Sequence, residues 1–581
     1  MAFPAEQGKS LPGPHGAGRA EEVLDMMRPH LTAPRRSRWR APLLLALTVL
    51  TGSSLIAATS AGASAHGPGG TYFQPGNLLV SGSVYDNNPG ILTPGVTVLP
   101  PGCTTGCVVA TNDGSYPGVW DNALADGSFG VTSPIFLDQL TQSGRLVSTL
   151  RIPDGSRNGS GPDGDHMVTS FSSKSELALN LSTDGRYVTF MGYVAKPGAI
   201  DVSNSNTPGV VDPTNPVAGA YYRVLAELDR QGRLRFTETN AYSGNNGRSA
   251  ILNDSDGASV VYTAGNAGNG ANPQPDGVIL GAGAQILAPL AKPEAAQHPG
   301  APTPVGSFNV TQLGDAADKT GKDTNFRGLT IYHNVVYYTK GSGGNGVNTV
   351  YFVDTTGHAC PSGVGVPQPG APLPTSPLAY DPSLLQSKGV YPYNMCVLNG
   401  FPTALKSTTS FPFGIWFANA DTLYVADEGN GDTTYSATSG TYPAAAAQTT
   451  AGLQKWVLSS GTWKLAYTLT GGLDLGAPYP VRGYPTGNNP ATGLPWAPAT
   501  DGLRNITGRV NPGGTVTIWA VTSTVSGDGD QGADPNRLVA VTDKLAAVAP
   551  PAESFRTIRA AGFGEVLRGV SFTPGTEIDS R

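Results

Sequence analysis

Short aliphatic runs of strand type lead, again and again along this chain, into an aromatic or tyrosine pair and then into a turn rich in Gly, Asn and Asp. The phrase reads Leu-Leu-Val-Ser-Gly-Ser-Val-Tyr-Asp-Asn-Asn at residues 78–88 and Ala-Ser-Val-Val-Tyr-Thr-Ala-Gly-Asn at 258–266. It returns as Val-Val-Tyr-Tyr-Thr-Lys-Gly at 335–341 and as Thr-Leu-Tyr-Val-Ala-Asp-Glu-Gly-Asn at 422–430. Degenerate repetition over several tens of residues marks one supersecondary unit used many times. Brief apolar runs punctuated by Asp-Gly and Gly-Asn turns make that unit an antiparallel sheet.

Seven places read as the start of an innermost strand. They are Gly118-Val119-Trp120, Leu177-Ala178-Leu179, Arg248-Ser249-Ala250-Ile251, Arg327-Gly328-Leu329, Phe413-Gly414-Ile415, Arg504-Asn505-Ile506 and Arg568-Gly569-Val570. Their spacing is roughly 60 to 90 residues, longer than a minimal blade, so the excess is assigned to loops. The expected fold is all-β: a seven-bladed β-propeller closed by N- and C-terminal strands in one blade. Its last start supplies a single strand before the chain ends at Arg581. The missing partners are sought at residues 77–85, 96–99 and 108–111, and joining the two ends would remove open sheet edges. Residues 358–406 are rich in Pro and Gly with little alternation and read as a long loop insertion.

The N-terminal residues 1–65 are set apart from this domain. Arg35, Arg36, Arg38 and Arg40 precede an apolar run at 43–58, and Ala63-Ser64-Ala65 supplies small residues for cleavage. That order is a leader and secretion signal cleaved near Ala65, which leaves a mature domain of 66–581 and predicts a secreted, periplasmic or cell-surface protein. An uncleaved anchor is the competing reading, and Arg35-Arg36 also admits a twin-arginine route. The later chain has no apolar run long enough for a membrane span. The net charge is −6 with 13% charged residues, and no basic stripe invites nucleic acid. The 77 Gly and 49 Pro fall between apolar runs, which assigns them to turns. The four cysteines suit an exported chain with local disulfides, Cys103–Cys107 and Cys360–Cys396. A four-thiolate zinc site is the alternative, but Cys-x3-Cys has no second short-spaced pair to match it.

Four groups of residues bear on chemistry. Arg248, Arg327, Arg504 and Arg568 occupy the same point of four inner strands, so blade symmetry would gather them around a central channel. A ring of guanidinium groups there could hold a carboxylate or phosphate, or each could pair with an acid of the next blade as structural glue. The acid-rich turns containing Asp427 and Asp432, and Asp528 and Asp530 followed by Asp534, present hard oxygens on glycine-rich backbone. Ca²⁺ is the cofactor they suit, though no EF-hand spacing is present. His166 beside a hydroxyl-rich run has no nucleophile elbow around it. Trp120, Phe326, Phe411, Phe413 and Trp416 could line a mouth and stack on sugars, or simply pack the blades.

The strand, Asp-Gly turn and strand at 177–190 and the Leu-Tyr-Val-Ala-Asp phrase at 423–427 resemble the broad β-propeller superfamily of YVTN, NHL and TolB-like repeats. The resemblance implies a propeller and a range of functions that includes lactone hydrolases, lyases and binding scaffolds. No catalytic motif of one member is present, so no catalytic residue is carried over. The resulting expectation is a monomeric secreted propeller binding an extracellular small molecule, glycan, peptide or envelope component at the channel mouth. Its rival is a Ca-dependent hydrolase or lyase acting on a small ester, lactone or polysaccharide.

Overall fold

The structure, a computed structural model, describes residues 72–577 apart from 157–165, 209–216, 267–282, 290–304, 308–324, 374–393 and a few shorter stretches. The leader, the cleavage site and much of the 358–406 insertion lie outside the described residues. Among the described residues no helix is long and apolar enough to cross a membrane.

The chain is all-β and forms a propeller of six large antiparallel sheets. Blade 1 runs from Glu565–Phe572 inward-most through Leu78–Val84 and Ile135–Leu140 to Leu146–Arg151. Blade 2 runs from Asn180–Leu181 through Tyr187–Tyr193 and Arg223–Asp229 to Leu234–Thr239. Blade 3 begins with Gly247–Asn253, blade 4 with Phe326–Tyr332, blade 5 with Pro412–Asn419 and blade 6 with Ala499–Asn511. Blade 4 carries a fifth strand, Val364–Gly365, parallel to Asn394–Leu398. In blade 1 the two ends of the described chain meet, with Leu78 opposite Phe572 and Val84 opposite Glu565.

The expected count of seven blades is therefore corrected to six. The surplus start, Gly118-Val119-Trp120, lies in a 3₁₀ turn, Gly118–Leu124. Asn122 stabilises that turn: its Oδ1 accepts from Thr111 N at 2.7 Å, while its Nδ2 donates to Val119 O at 2.9 Å. Trp120 is fully buried, stacked on Phe171 at 5.1 Å and edge-on to Tyr85 at 5.4 Å, so it packs a cap and not a blade. The second correction concerns the closing sheet. Val98–Leu99 and Val108–Val109 pair only with each other, as a separate ribbon, and Ile135–Leu140 takes the place beside Leu78–Val84. The ribbon and the 3₁₀ turn belong to an insertion between the first two chain-consecutive strands of blade 1.

Apolar cores lie between neighbouring blades. Trp416, Tyr424 and Leu453 of blade 5 interdigitate with Leu503, Ile518 and Val539 of blade 6, and Leu177, Val188 and Phe190 of blade 2 meet Leu79, Ile135 and Leu137 of blade 1. Each such side chain contributes about 1.5–3 kcal/mol when fully buried. This is how one chain of this length avoids needing a single oversized core. The cysteines pair as Cys103–Cys107 and Cys360–Cys396, as expected from their spacing, and no free cysteine remains.

Candidate functional site

The six innermost strands line one channel. A cavity of about 390 Å³ at one end draws on all six, through Leu179, Ile251, Thr330, Ile415, Thr507 and Ser571. Arg248, Arg327, Arg504 and Arg568 each lie three residues before the cavity-lining residue of their strand, toward the other end.

A local device places them there. In blade 4 the pairing passes from Phe326↔Lys340 to Leu329↔Tyr338, so Arg327 and Gly328 oppose a single residue. The same slip spans Arg504 and Asn505 in blade 6, Arg248 in blade 3, Arg568 in blade 1 and Phe413-Gly414 in blade 5. A β-bulge bends its strand and re-aims one side chain out of the alternation. Here five of six inner strands use it at the equivalent position.

The glycine after the arginine follows from packing. A Cβ on Gly328 would stand 2.2 Å from Phe413 O, one on Gly414 2.4 Å from Arg504 O, and one on Gly569 2.3 Å from Leu177 O. Adjacent inner strands touch at these points, and a side chain would push them apart. Asn505 stands where blades 1, 4 and 5 have Gly and bridges instead, accepting from Val570 N at 2.6 Å.

All four arginines are buried, between 5% and 8% exposed. Two glutamates stand among them. Glu428 bridges two blades, with Oε1 3.4 Å from Arg327 Nη2 and Oε2 3.2 Å from Arg504 Nε. Both guanidinium groups also lie over the Phe413 ring at 5.9 Å. Glu176 accepts from Thr169 Oγ1 at 2.7 Å, Ser170 N at 3.0 Å and the Tyr193 hydroxyl, and its charge acts on Arg248 and Arg568. Arg248 donates to Phe326 O at 3.1 Å and to Asn325, while its Nε has no hydrogen-bond partner among the described residues.

The electrostatics are those of crowded cations. Burial, then the neighbouring Arg327, hold the Arg248 guanidinium well below its ordinary pKa. Burial pushes Arg568 down to about 10 and lowers Arg327 as well. Four guanidinium groups share Glu176, Glu428 and the more distant Asp530, with Asp501 beside Arg327 and Arg504, so cations and acids are crowded into a poorly solvated place.

Between Arg327, Arg504 and Glu428 opens a cavity of about 110 Å³, walled also by Asp501, Thr524 and Gln531. Burial raises the Asp501 carboxyl to about 7. Its oxygens accept from Gly431 N at 2.8 Å and Gln448 Nε2 at 2.7 Å.

The acids proposed from sequence separate into different environments. Asp427 is buried and ties its own turn, accepting from Phe411 N at 2.8 Å, Gly429 N at 3.0 Å and Gln454 Nε2 at 3.1 Å. Asp432 is exposed and accepts from Thr434 N at 2.8 Å. Asp528 and Asp530 are both buried in the loop after Thr515–Val525. Asp530 accepts from Gly532 N at 2.7 Å and Asp528 faces Asp534. Sequence reasoning missed Glu176, Glu428 and Asp501. Glu428 follows the Val-Ala-Asp phrase directly, and that adjacency was the available signal. The aromatic residues Trp120, Phe326, Phe413 and Trp416 are buried in packing; Phe411 alone of that group is partly exposed and borders the smaller cavity.

No protein-family model matches the sequence, and no curated protein matches it. Solved structures overlap it loosely. An ulvan lyase from a new polysaccharide lyase family is 11% identical, with 84% of this chain and 97% of that one covered and a TM-score of 0.28. The apocarotenoid oxygenase of Synechocystis is 11% identical over 77% of this chain and 71% of its own, with a TM-score of 0.28. The parainfluenza virus 5 hemagglutinin-neuraminidase ectodomain is 11% identical over 75% and 77%, with a TM-score of 0.27. None of these likenesses bears on function.

Proposed function

We propose that this chain is an exported binding protein that takes an anionic group of an extracellular small molecule, glycan or peptide at the arginine end of its channel. The observation that carries this reading is a cavity bordered by Arg327 and Arg504 within a set of four buried guanidinium groups that act on one another. Glu428 already pairs two of them, so the structural-glue reading accounts for part of the ring. It does not fill the cavity beside Arg327 and Arg504, where an anion would add counter-charge to buried cations. The cavity of about 110 Å³ has room for several waters, which suits a carboxylate or phosphate head group and not a whole sugar chain. The ligand would insert one acidic group and rest its remainder on the cap and loops. The two disulfides suit the oxidising compartment that export would supply.

Calorimetric titration of the mature chain with inorganic phosphate, uronate oligosaccharides and acidic peptides tests the reading. Binding to the wild type with at least tenfold weakening in both Arg327→Gln and Arg504→Gln supports it. No heat from any anion, with both variants losing fold, leaves only glue. A second reading, a hydrolase or lyase, is favoured by Asp501, whose carboxyl is raised to about 7 in the wall of the same cavity. A group poised near neutrality can act as acid or base. Turnover of an ester, lactone or polysaccharide that disappears in Asp501→Asn would select that reading over simple binding.

A further inference from the structure

The loop joining Thr515–Val525 to Arg537–Lys544 contains Ser526-Gly527-Asp528-Gly529-Asp530-Gln531-Gly532-Ala533-Asp534. Asp528 is 0% exposed and Asp534 1%. Among the described residues no donor reaches either Asp528 oxygen, and the donors near Asp534 are the hydroxyls of Ser526 and Thr524, neither in good hydrogen-bonding geometry. The two side chains lie together, and Asp121 of the cap and Asp530 add to the negative field at Asp528. Asp121 is itself 4% exposed and anchored by Asn489 Nδ2 at 2.7 Å. Buried polar groups in folded proteins are almost always satisfied. Two adjacent buried carboxylates with no well-formed hydrogen bond are the largest exception among the described residues of this chain.

We propose that Asp528 and Asp534 bind a divalent cation of the Ca²⁺ type that pins the inserted cap to blade 6. Oxygen-only donors on a glycine-rich loop suit a hard ion that accepts irregular geometry. No third His, Cys, Asp or Glu ligand atom among the described residues completes a set within 4.8 Å, so backbone carbonyls and water would fill the remaining positions. Trp120 O lies 3.5 Å from the Cβ position of Gly529, which brings the cap backbone to this loop. Around it, Tyr116 donates to Ala533 O at 3.2 Å and its hydroxyl meets that of Tyr484 at 2.6 Å. The ion would therefore join the segment Gly118–Leu124 to the 526–536 loop. The competing occupant is a single proton shared between the two carboxyls, as in other close carboxylate pairs.

The pair is distinct from the arginine cavity, so its test does not depend on the anion reading. The mature chain is stripped with chelator and titrated with Tb³⁺, exciting the tryptophan and tyrosine residues that flank the loop, and separately with Ca²⁺ while melting is followed. The expected result is about one ion per chain, sensitised Tb³⁺ emission displaced by Ca²⁺, and a rise in Tm. Asp528→Asn and Asp534→Asn should each weaken binding at least a hundredfold. Asp432→Asn, in an exposed turn, should leave it unchanged. Near-UV circular dichroism identifies a variant that fails to fold; in that case Asp121→Asn, expected to weaken binding about tenfold, replaces it. A wild type with no sensitised emission and no response of Tm to Ca²⁺ or chelator overturns the proposal and assigns the pair to a shared proton.

Discussion

Glu428→Gln isolates the electrostatics of the channel. The Glu428 carboxylate lies 3.4 Å from Arg327 Nη2 and 3.2 Å from Arg504 Nε, and these arginines are 5% and 8% exposed. Removing one partner of a buried ion pair costs about 3–5 kcal/mol, because the other charge stays desolvated and uncompensated. For roughly 500 structured residues at about 2.1 cal/mol/K each, the unfolding entropy near Tm is about 1 kcal/mol/K, so Tm should fall by about 3–5 °C. The isosteric amide keeps the volume, which excludes a cavity term. An anion that enters the site should then restore stability in proportion to its occupancy. At a concentration one hundred times its Kd the gain is about 2.7 kcal/mol, or roughly 3 °C on the same entropy. The assay is differential scanning fluorimetry of wild type and variant, with and without sodium phosphate. General salt effects on burial act on both proteins alike and cancel in the comparison. A variant as stable as the wild type, or one that phosphate raises no more than the wild type, would show that the arginines are neutralised or solvated by other means and would refute the argument.

Gly328→Ala would put a methyl 2.2 Å from Phe413 O and should cost about 1–3 kcal/mol through overpacking; Gly127→Ala, with open space around it, should leave the urea midpoint unchanged. Removing the final 17 residues deletes Glu565–Phe572, the innermost strand of blade 1. With it go Leu567, Val570 and Phe572, all buried, at about 1.5–3 kcal/mol each, so the truncated chain should melt far below the full one in the same scan; an unchanged melt would mean that this strand does not hold the two ends together. Asp501 has a folded-state pKa of about 7 against an ordinary value of 3.8, chiefly through burial. The native state thus binds the proton more tightly, and stability should fall as pH rises between about 4 and 7, by at most about 1.4 kcal/mol per pH unit. Asp501→Asn should flatten that part of the profile measured by urea unfolding, and an identical slope would assign it to other groups such as Asp427, which burial raises to about 6.

Much of the architecture was legible because strand and turn chemistry is local. Leu78–Val84, Val335–Lys340 and Thr422–Asp427 could be read from the recurring aliphatic and aromatic phrase and from the Gly, Asn or Asp that follows each run. Trp120 misled because an apolar pair after Gly looks alike whether it enters a sheet or a 3₁₀ turn. What decides is the cluster of Tyr85, Phe129 and Phe171 that receives it, and those side chains come from distant parts of the chain. The acids show the same division. Asp427, Asp432, Asp528 and Asp530 look equivalent in sequence as oxygen-rich turns. Burial and hydrogen bonding make Asp427 a turn anchor, Asp432 a surface group and Asp528 half of an unsatisfied pair.

Sequence alone determined that this is a repeated sheet protein with its arginines at matched positions and its cysteines locally paired, because period, turn residues and short disulfide spacing are properties of neighbours along the chain. Tertiary structure decided that there are six blades, that bulges turn the arginines toward one another, and that Glu176, Glu428 and Asp501 stand among or beside them. Charge compensation and desolvation depend on distances between strands far apart in sequence, and only the packed blades set those distances.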